Sequence, residues 1–142
     1  MADSMNLIAD KFIRLAAAFG AAAVTVGAFG AHSLKSLFIA RQLDAQYLLG
    51  IYEKGVQYHF YHVLALGLVG LLLYQRPGSQ WLQRAGWLFV AGILMFSGSL
   101  YLLACRDVLP FPVGWAGPVT PLGGLCFIGG WITLLVAVWK KI

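Results

Sequence analysis

The residues with the most chemical potential in this chain stand close together, in Val56-Gln57-Tyr58-His59-Phe60-Tyr61-His62. His59 and His62 are three apart, so on a helix they share a face, and Tyr58 borders that face from four residues before His62. His32, the third histidine, precedes them, and Ser97, Ser99, Tyr101 and Thr120 follow. Imidazoles at this spacing suit zinc, copper, iron or haem. A metal would be held by His59 and His62 with His32 arriving from another helix. The same groups could relay protons or line the path of a small solute. They could also tie helices together by hydrogen bonds worth about 0.6 kcal/mol each in a membrane interior.

These readings depend on what positions the residues, and composition settles that first. Of 142 residues, 61% are hydrophobic and only 11% charged, against about 25% charged in a soluble domain. A small water-soluble fold leaves too much surface exposed to hide that much apolar material. The solvent that suits it is lipid. The net charge of +5 is spread singly between apolar runs, with no basic stripe to follow a phosphate backbone, so nucleic acid is not a partner and lipid headgroups are.

The charges measure the spans. Arg14 and Lys35 enclose 20 uncharged residues, Lys54 and Arg76 enclose 21, Arg84 and Arg106 enclose 21, and Asp107 and Lys140 enclose 32. About 20 apolar residues cross about 30 Å of hydrocarbon. The last gap is longer because its first half carries Pro110, Pro112, Pro118 and Pro121, which argue against continuous helix. Thr120 as cap and Pro121 at the first helical position predict a start there. The expected spans are 12–31, 56–75, 85–105 and 121–139, within one transmembrane domain covering 1–142. The first is expected to be a true span and not a cleaved leader, because its apolar run continues well past Ala18 and acidic Asp3 and Asp10 precede it.

With four spans the two termini share a side with the 76–84 turn. That side carries Lys11, Arg14, Arg76, Arg84, Lys140 and Lys141, and the other carries Lys35, Arg41, Lys54 and Arg106. Six against four places both termini in the cytoplasm by the positive-inside rule. The external 33–54 segment has Leu34, Leu37, Phe38, Arg41 and Leu48 at helical spacing. It predicts an additional amphipathic helix, lying at the interface or packed on the protein's own spans. The 106–120 segment is rich in Pro and Gly. It either folds back on the bundle or stays at the surface, anchored by Trp115. Cys105 and Cys126 could form one bridge or serve as small apolar residues.

Nearly all polar side chains in or beside the spans fall in the outer half of the membrane. A pocket formed by His32, Gln57, Tyr58, His59, His62, Ser97, Ser99, Tyr101 and Thr120 is therefore expected. The acids are Asp3, Asp10, Asp44, Glu53 and Asp107, none of them inside a predicted span. Hydrolase and phosphate-loop motifs are absent from the sequence. A non-enzymatic membrane protein is the expectation: an oligomeric conduit for a small solute or an accessory subunit. The alternatives are a metal- or haem-binding protein and a structural, lipid-organising one.

Four motifs occur in order: Gly-Ala-Phe-Gly-Ala-His at 27–32, Gln-Tyr-His-Phe-Tyr-His at 57–62, Phe-Ser-Gly-Ser-Leu-Tyr at 96–101 and Gly-Pro-Val-Thr-Pro-Leu-Gly-Gly at 117–124. Through them the chain resembles the small membrane proteins grouped as domain of unknown function 423, related to transmembrane protein 256. The resemblance implies a four-span protein of the bacterial inner membrane. It implies no reaction and no cofactor. It marks His32, Gln57, His59, His62, Ser97, Ser99, Tyr101, Pro118, Thr120 and Pro121 as positions of interest.

Overall fold

In a computed structural model, which describes residues 2–139 with side chains from residue 7 onward, 86% of the described residues are helical and none is in a strand. Helix α1 (Ala2–Phe29) passes through one wide π turn at Gly30–Leu34 into α2 (Lys35–Ala40). Helix α3 (Ala45–Gln75) returns across the bundle. Helix α4 (Gln80–Gly92), a second π turn at Ile93–Ser97 and α5 (Gly98–Ala104) form the third passage, and α6 (Ala116–Trp139) the fourth. All four passages are long and apolar enough to cross a membrane. Helix α1 packs along α3, and α4 along α6. The molecule is thus two antiparallel hairpins, joined where α3 lies against the third passage.

The expected separate helix in the first external loop needs correction. The 33–54 segment is helical, but as prolongations of the first two passages, with only 41–44 between them. Helix α3 starts at Ala45 instead of 56 and holds 31 residues. At 1.5 Å per residue it measures about 46 Å, some 15 Å more than the hydrocarbon needs. The surplus is not bare. Leu34, Phe38, Leu48, Tyr52 and Ala104 are buried together, with Leu43, Cys105 and Val108 packed on them. Of the two readings, packing on the protein's own spans is the one observed.

The corner at 41–44 follows from its hydrogen bonds. Gln42 N–H donates to the Ile39 carbonyl and Leu43 N–H to that of Phe38, each at 3.0 Å. This is the Schellman arrangement, and it requires a left-handed residue, here Gln42 at φ 56°. Asp44 Oδ1 then accepts from Tyr47 N–H at 3.0 Å and starts α3. Gln42→Gly is expected to raise thermal stability by about 1 kcal/mol, because glycine sheds the steric cost of that conformation. Thermal unfolding in detergent checks this; an unchanged or lowered midpoint counts against it.

Helix α6 also differs from expectation. It begins at Ala116, so Thr120 and Pro121 lie inside it and do not start it. The starting turn is supplied upstream, by Ala116 N–H to Val113 O and Gly117 N–H to Gly114 O. Val113 is buried while Phe111 and Trp115 stay exposed, so the 106–115 segment docks on the bundle through Val108 and Val113. At the opposite end of the molecule, Arg76 donates to the Ala137 carbonyl at 2.9 Å, satisfying the last turn of α6. Tyr74 bonds to Asp10 there, and Lys11 lies over the Trp87 ring. Lys140 and Lys141, which tip the orientation count, lie outside the described residues.

Candidate functional site

The second passage brings its histidines to two different neighbours. His62 points toward α6 and is buried. Its Nδ1 lies 2.7 Å from the Tyr58 carbonyl, and its Nε2 accepts from Trp131 Nε1 at 3.1 Å. A carbonyl only accepts and an indole N–H only donates, so these partners assign the neutral imidazole with its proton on Nδ1. The ring lies flat on Phe127, with centroids 3.4 Å apart and planes 8° apart. Phe89 and Tyr58 close it in from the sides.

His59 points toward α1 and the third passage. Its Nδ1 is 3.0 Å from the Tyr101 hydroxyl, and its ring meets Phe19 edge-on. Tyr101 reaches it because Gly55 lies under the Tyr101 ring; a Cβ on Gly55 would stand 2.9 Å from it. The Tyr52 ring lies tilted against Tyr101 at 5.1 Å between centroids, and Tyr52 donates from its own hydroxyl to the Val26 carbonyl at 2.7 Å.

Ser99 and Thr120 form a third unit between α5 and α6. Their hydroxyl oxygens are 2.7 Å apart, with the Phe96 carbonyl 2.9 Å from Ser99 and the Ala116 carbonyl 3.3 Å from Thr120. Two hydroxyl protons serve three contacts, so the chain runs either from Thr120 through Ser99 to Phe96, or from Ser99 through Thr120 to Ala116.

The expected single pocket is therefore three buried polar units at neighbouring levels, joined by aromatic rings. Tyr58, His59, His62, Ser97, Ser99, Tyr101 and Thr120 all take part in this region. His32 and Gln57 do not: both are exposed, and Gln57 instead accepts from Lys54 at 3.5 Å. The convergence of His32 on the other histidines is overturned, because the π turn at Gly30–Leu34 carries its side chain to the outside. The donor set does not fit a metal ion held jointly by His32, His59 and His62. Both nitrogens of His62 are occupied, and no group of three His, Cys, Asp or Glu side chains lies close enough to hold an ion among the described residues. Cys105 and Cys126 are both free thiols, so they form no bridge.

Sequence reasoning missed Trp131 and Phe127. The signal that could have found them is the spacing of Gly123, Phe127, Gly130, Leu134 and Ala137, alternately four and three apart and all buried. It marks the inner stripe of a helix that is apolar all round.

Fold and site together define a four-passage helical membrane protein whose interior polar groups bond chiefly to one another. The family described as "Protein of unknown function (DUF423)" matches residues 26–124, and the chain belongs to it. It is 42% identical to the UPF0382 membrane protein YwdK of Bacillus subtilis, over 91% of this chain and 96% of that one. It is 40% identical to the UPF0382 membrane protein SAB0533 of Staphylococcus aureus, over 91% and 95%. No solved structure matches.

Proposed function

We propose that the protein is a non-catalytic, multi-pass component of the bacterial inner membrane, with both termini cytoplasmic, that works as a subunit of a larger helical assembly, first with copies of itself. One observation carries this reading: the outward face of α1 differs in kind from the other outward faces. Helix α3 shows lipid Leu64, Leu68 and Leu71, and α6 shows it Leu122, Leu125, Ile128, Ile132 and Leu135. From residue 17 to 28 α1 exposes Ala17, Ala18, Ala21, Ala22, Thr25 and Ala28, with Val24 as the one larger residue among them before Phe29. Lipid tails gain little from alanine. A neighbouring helix gains close backbone approach, which drives association where no hydrophobic force distinguishes helix from lipid. Helix α1 is also the passage least covered by the rest of the bundle, so it has a side to offer.

The test is disulfide trapping in native membranes, with Cys105→Ser and Cys126→Ala as background. Ala21→Cys is expected to trap a dimer on mild oxidation, and Leu125→Cys on α6 is not. Ala21→Trp is expected to shift the protein to monomer on blue-native gels. A monomer in mild detergent with no trapping at Ala21→Cys would overturn the reading.

A further inference from the structure

Among the described residues, two buried side-chain atoms have no partner at full hydrogen-bond geometry, His59 Nε2 and Ser97 Oγ; the Phe19 backbone also acts on the His59 ring. His59 is 5% exposed and Ser97 1%. Each such atom costs about 1–3 kcal/mol when left unpaired, and native interiors seldom tolerate it. The rest of the buried polar set is paired, which makes the exceptions informative.

The two atoms belong to one region. Ser97 is one helical turn before Tyr101, on the same face of the third passage, and Tyr101 is the residue that holds His59 Nδ1. That face meets α3: Leu100 and Tyr101 touch Gly55, and Phe96 touches Tyr58, at 4.7 Å between rings. Ser97 therefore sits on the seam between the third passage and α3, at the level of His59.

A groove of about 200 Å³ between α1 and α3 is lined by Gly27, Tyr52, Glu53, Val56 and Gln57 among others. Val56 is three residues before His59 and shares its face. Tyr52 lies against Tyr101 at 5.1 Å between ring centroids. The groove thus reaches Val56 and Tyr52, the neighbours of His59 and Tyr101.

We infer that His59 Nε2 and Ser97 Oγ, beside the Tyr101 hydroxyl, bind a small uncharged hydrogen-bonding molecule of the size of water in the outer half of the membrane. The chemistry selects the class. An imidazole nitrogen and a hydroxyl together offer both donor and acceptor. No Asp, Glu, Lys or Arg occurs in 15–34, 55–75 or 85–105, and Glu53 stands at the groove outside these runs, so a charged guest at His59 would have no counter-ion beside it. A guest with two to four polar partners is held as buried waters are held.

The probe is water itself. In bilayers of ¹⁵N-histidine-labelled protein, solid-state NMR reads magnetisation transfer from water to each of the three imidazoles. Transfer is expected at His59 Nε2 and at exposed His32, and not at His62, whose two nitrogens are closed. Ser97→Ala is expected to reduce the His59 transfer severalfold and shift its Nε2 resonance, while the His62 signals stay in place and show the fold intact. Absence of transfer at His59 while His32 shows it overturns the inference. So does a Ser97→Ala protein whose His59 resonance and transfer match the parent's.

Discussion

Gly123→Ala is expected to destabilise the bundle by about 3 kcal/mol or more, at the upper end of what overpacking costs, while Gly124→Ala one residue along is expected to stabilise it by up to about 1 kcal/mol. A Cβ on Gly123 would stand 2.8 Å from the Met95 carbonyl carbon and 2.8 Å from Phe96 Cα. Both are backbone atoms, and they belong to the π turn at Ile93–Ser97, so no side chain can rotate away. The added methyl must push α6 off the third passage. That move would also disturb Phe127 against Gly92 and Phe89 against Gly130, where Cβ atoms would again meet rings inside 3.0 Å. At Gly124 the nearest atom is the tip of Phe96 at 3.8 Å, which is ordinary contact. Comparing the two variants by unfolding in detergent separates close backbone approach from generic helix propensity, since replacing glycine by alanine in a helix otherwise stabilises it by about 1 kcal/mol. A Gly123→Ala protein as stable as Gly124→Ala would refute the packing described.

The number of passages was legible because charge is costly at membrane depth, and Arg14, Lys35, Lys54, Arg76, Arg84 and Arg106 therefore bracket them. The ends of the helices were less so. Lys54 and Glu53 end the uncharged run of α3, and a ruler of charges stops there, while the helix runs back to Ala45 because Leu48 and Tyr52 still have Phe38 and Leu34 to pack on. The start of α6 was misplaced for a related reason. Thr120-Pro121 has the composition of a helix start, yet the turn that begins the helix is made by Val113 and Gly114 backbone, and Thr120 uses its hydroxyl on Ser99 instead.

Depth also gave most of the polar site, since His59, His62, Ser97, Ser99, Tyr101 and Thr120 lie in one half of the bundle. Which of them meet was not legible. His59 and His62 share a face by spacing, but three residues still turn a helix by about 300°, enough to aim one imidazole at α1 and the other at α6. The π turns were hidden as well. Each inserts an extra residue into a turn, and the two fall within the motifs at 27–32 and 96–101 or beside them. One turns His32 outward. The other lets Ser97 face α3 while Ser99, two residues on, faces Thr120.

His62 and Trp131 are expected to be energetically coupled by about 1 kcal/mol in a double-mutant cycle, within the range measured for hydrogen bonds between membrane helices. His62→Phe keeps a flat ring against Phe127 and Phe89 but removes the acceptor for Trp131 Nε1. The Tyr58 carbonyl loses only a second bond, because it still faces the backbone N–H of His62 in the helix. Trp131→Phe removes the donor instead. Each single change should therefore cost more than its increment in the double variant, where neither partner is left alone. His62→Ala should cost more than either, about 2–4 kcal/mol, because it also opens a hole beside Phe127. The network and a metal site predict opposite responses to chelation. A network of Tyr58, His62 and Trp131 leaves the unfolding midpoint unchanged by EDTA, in parent and variants alike. A metal holding His62 would make the parent's midpoint fall with chelator and the His62→Phe midpoint insensitive to it, and would leave Trp131→Phe without a coupled effect.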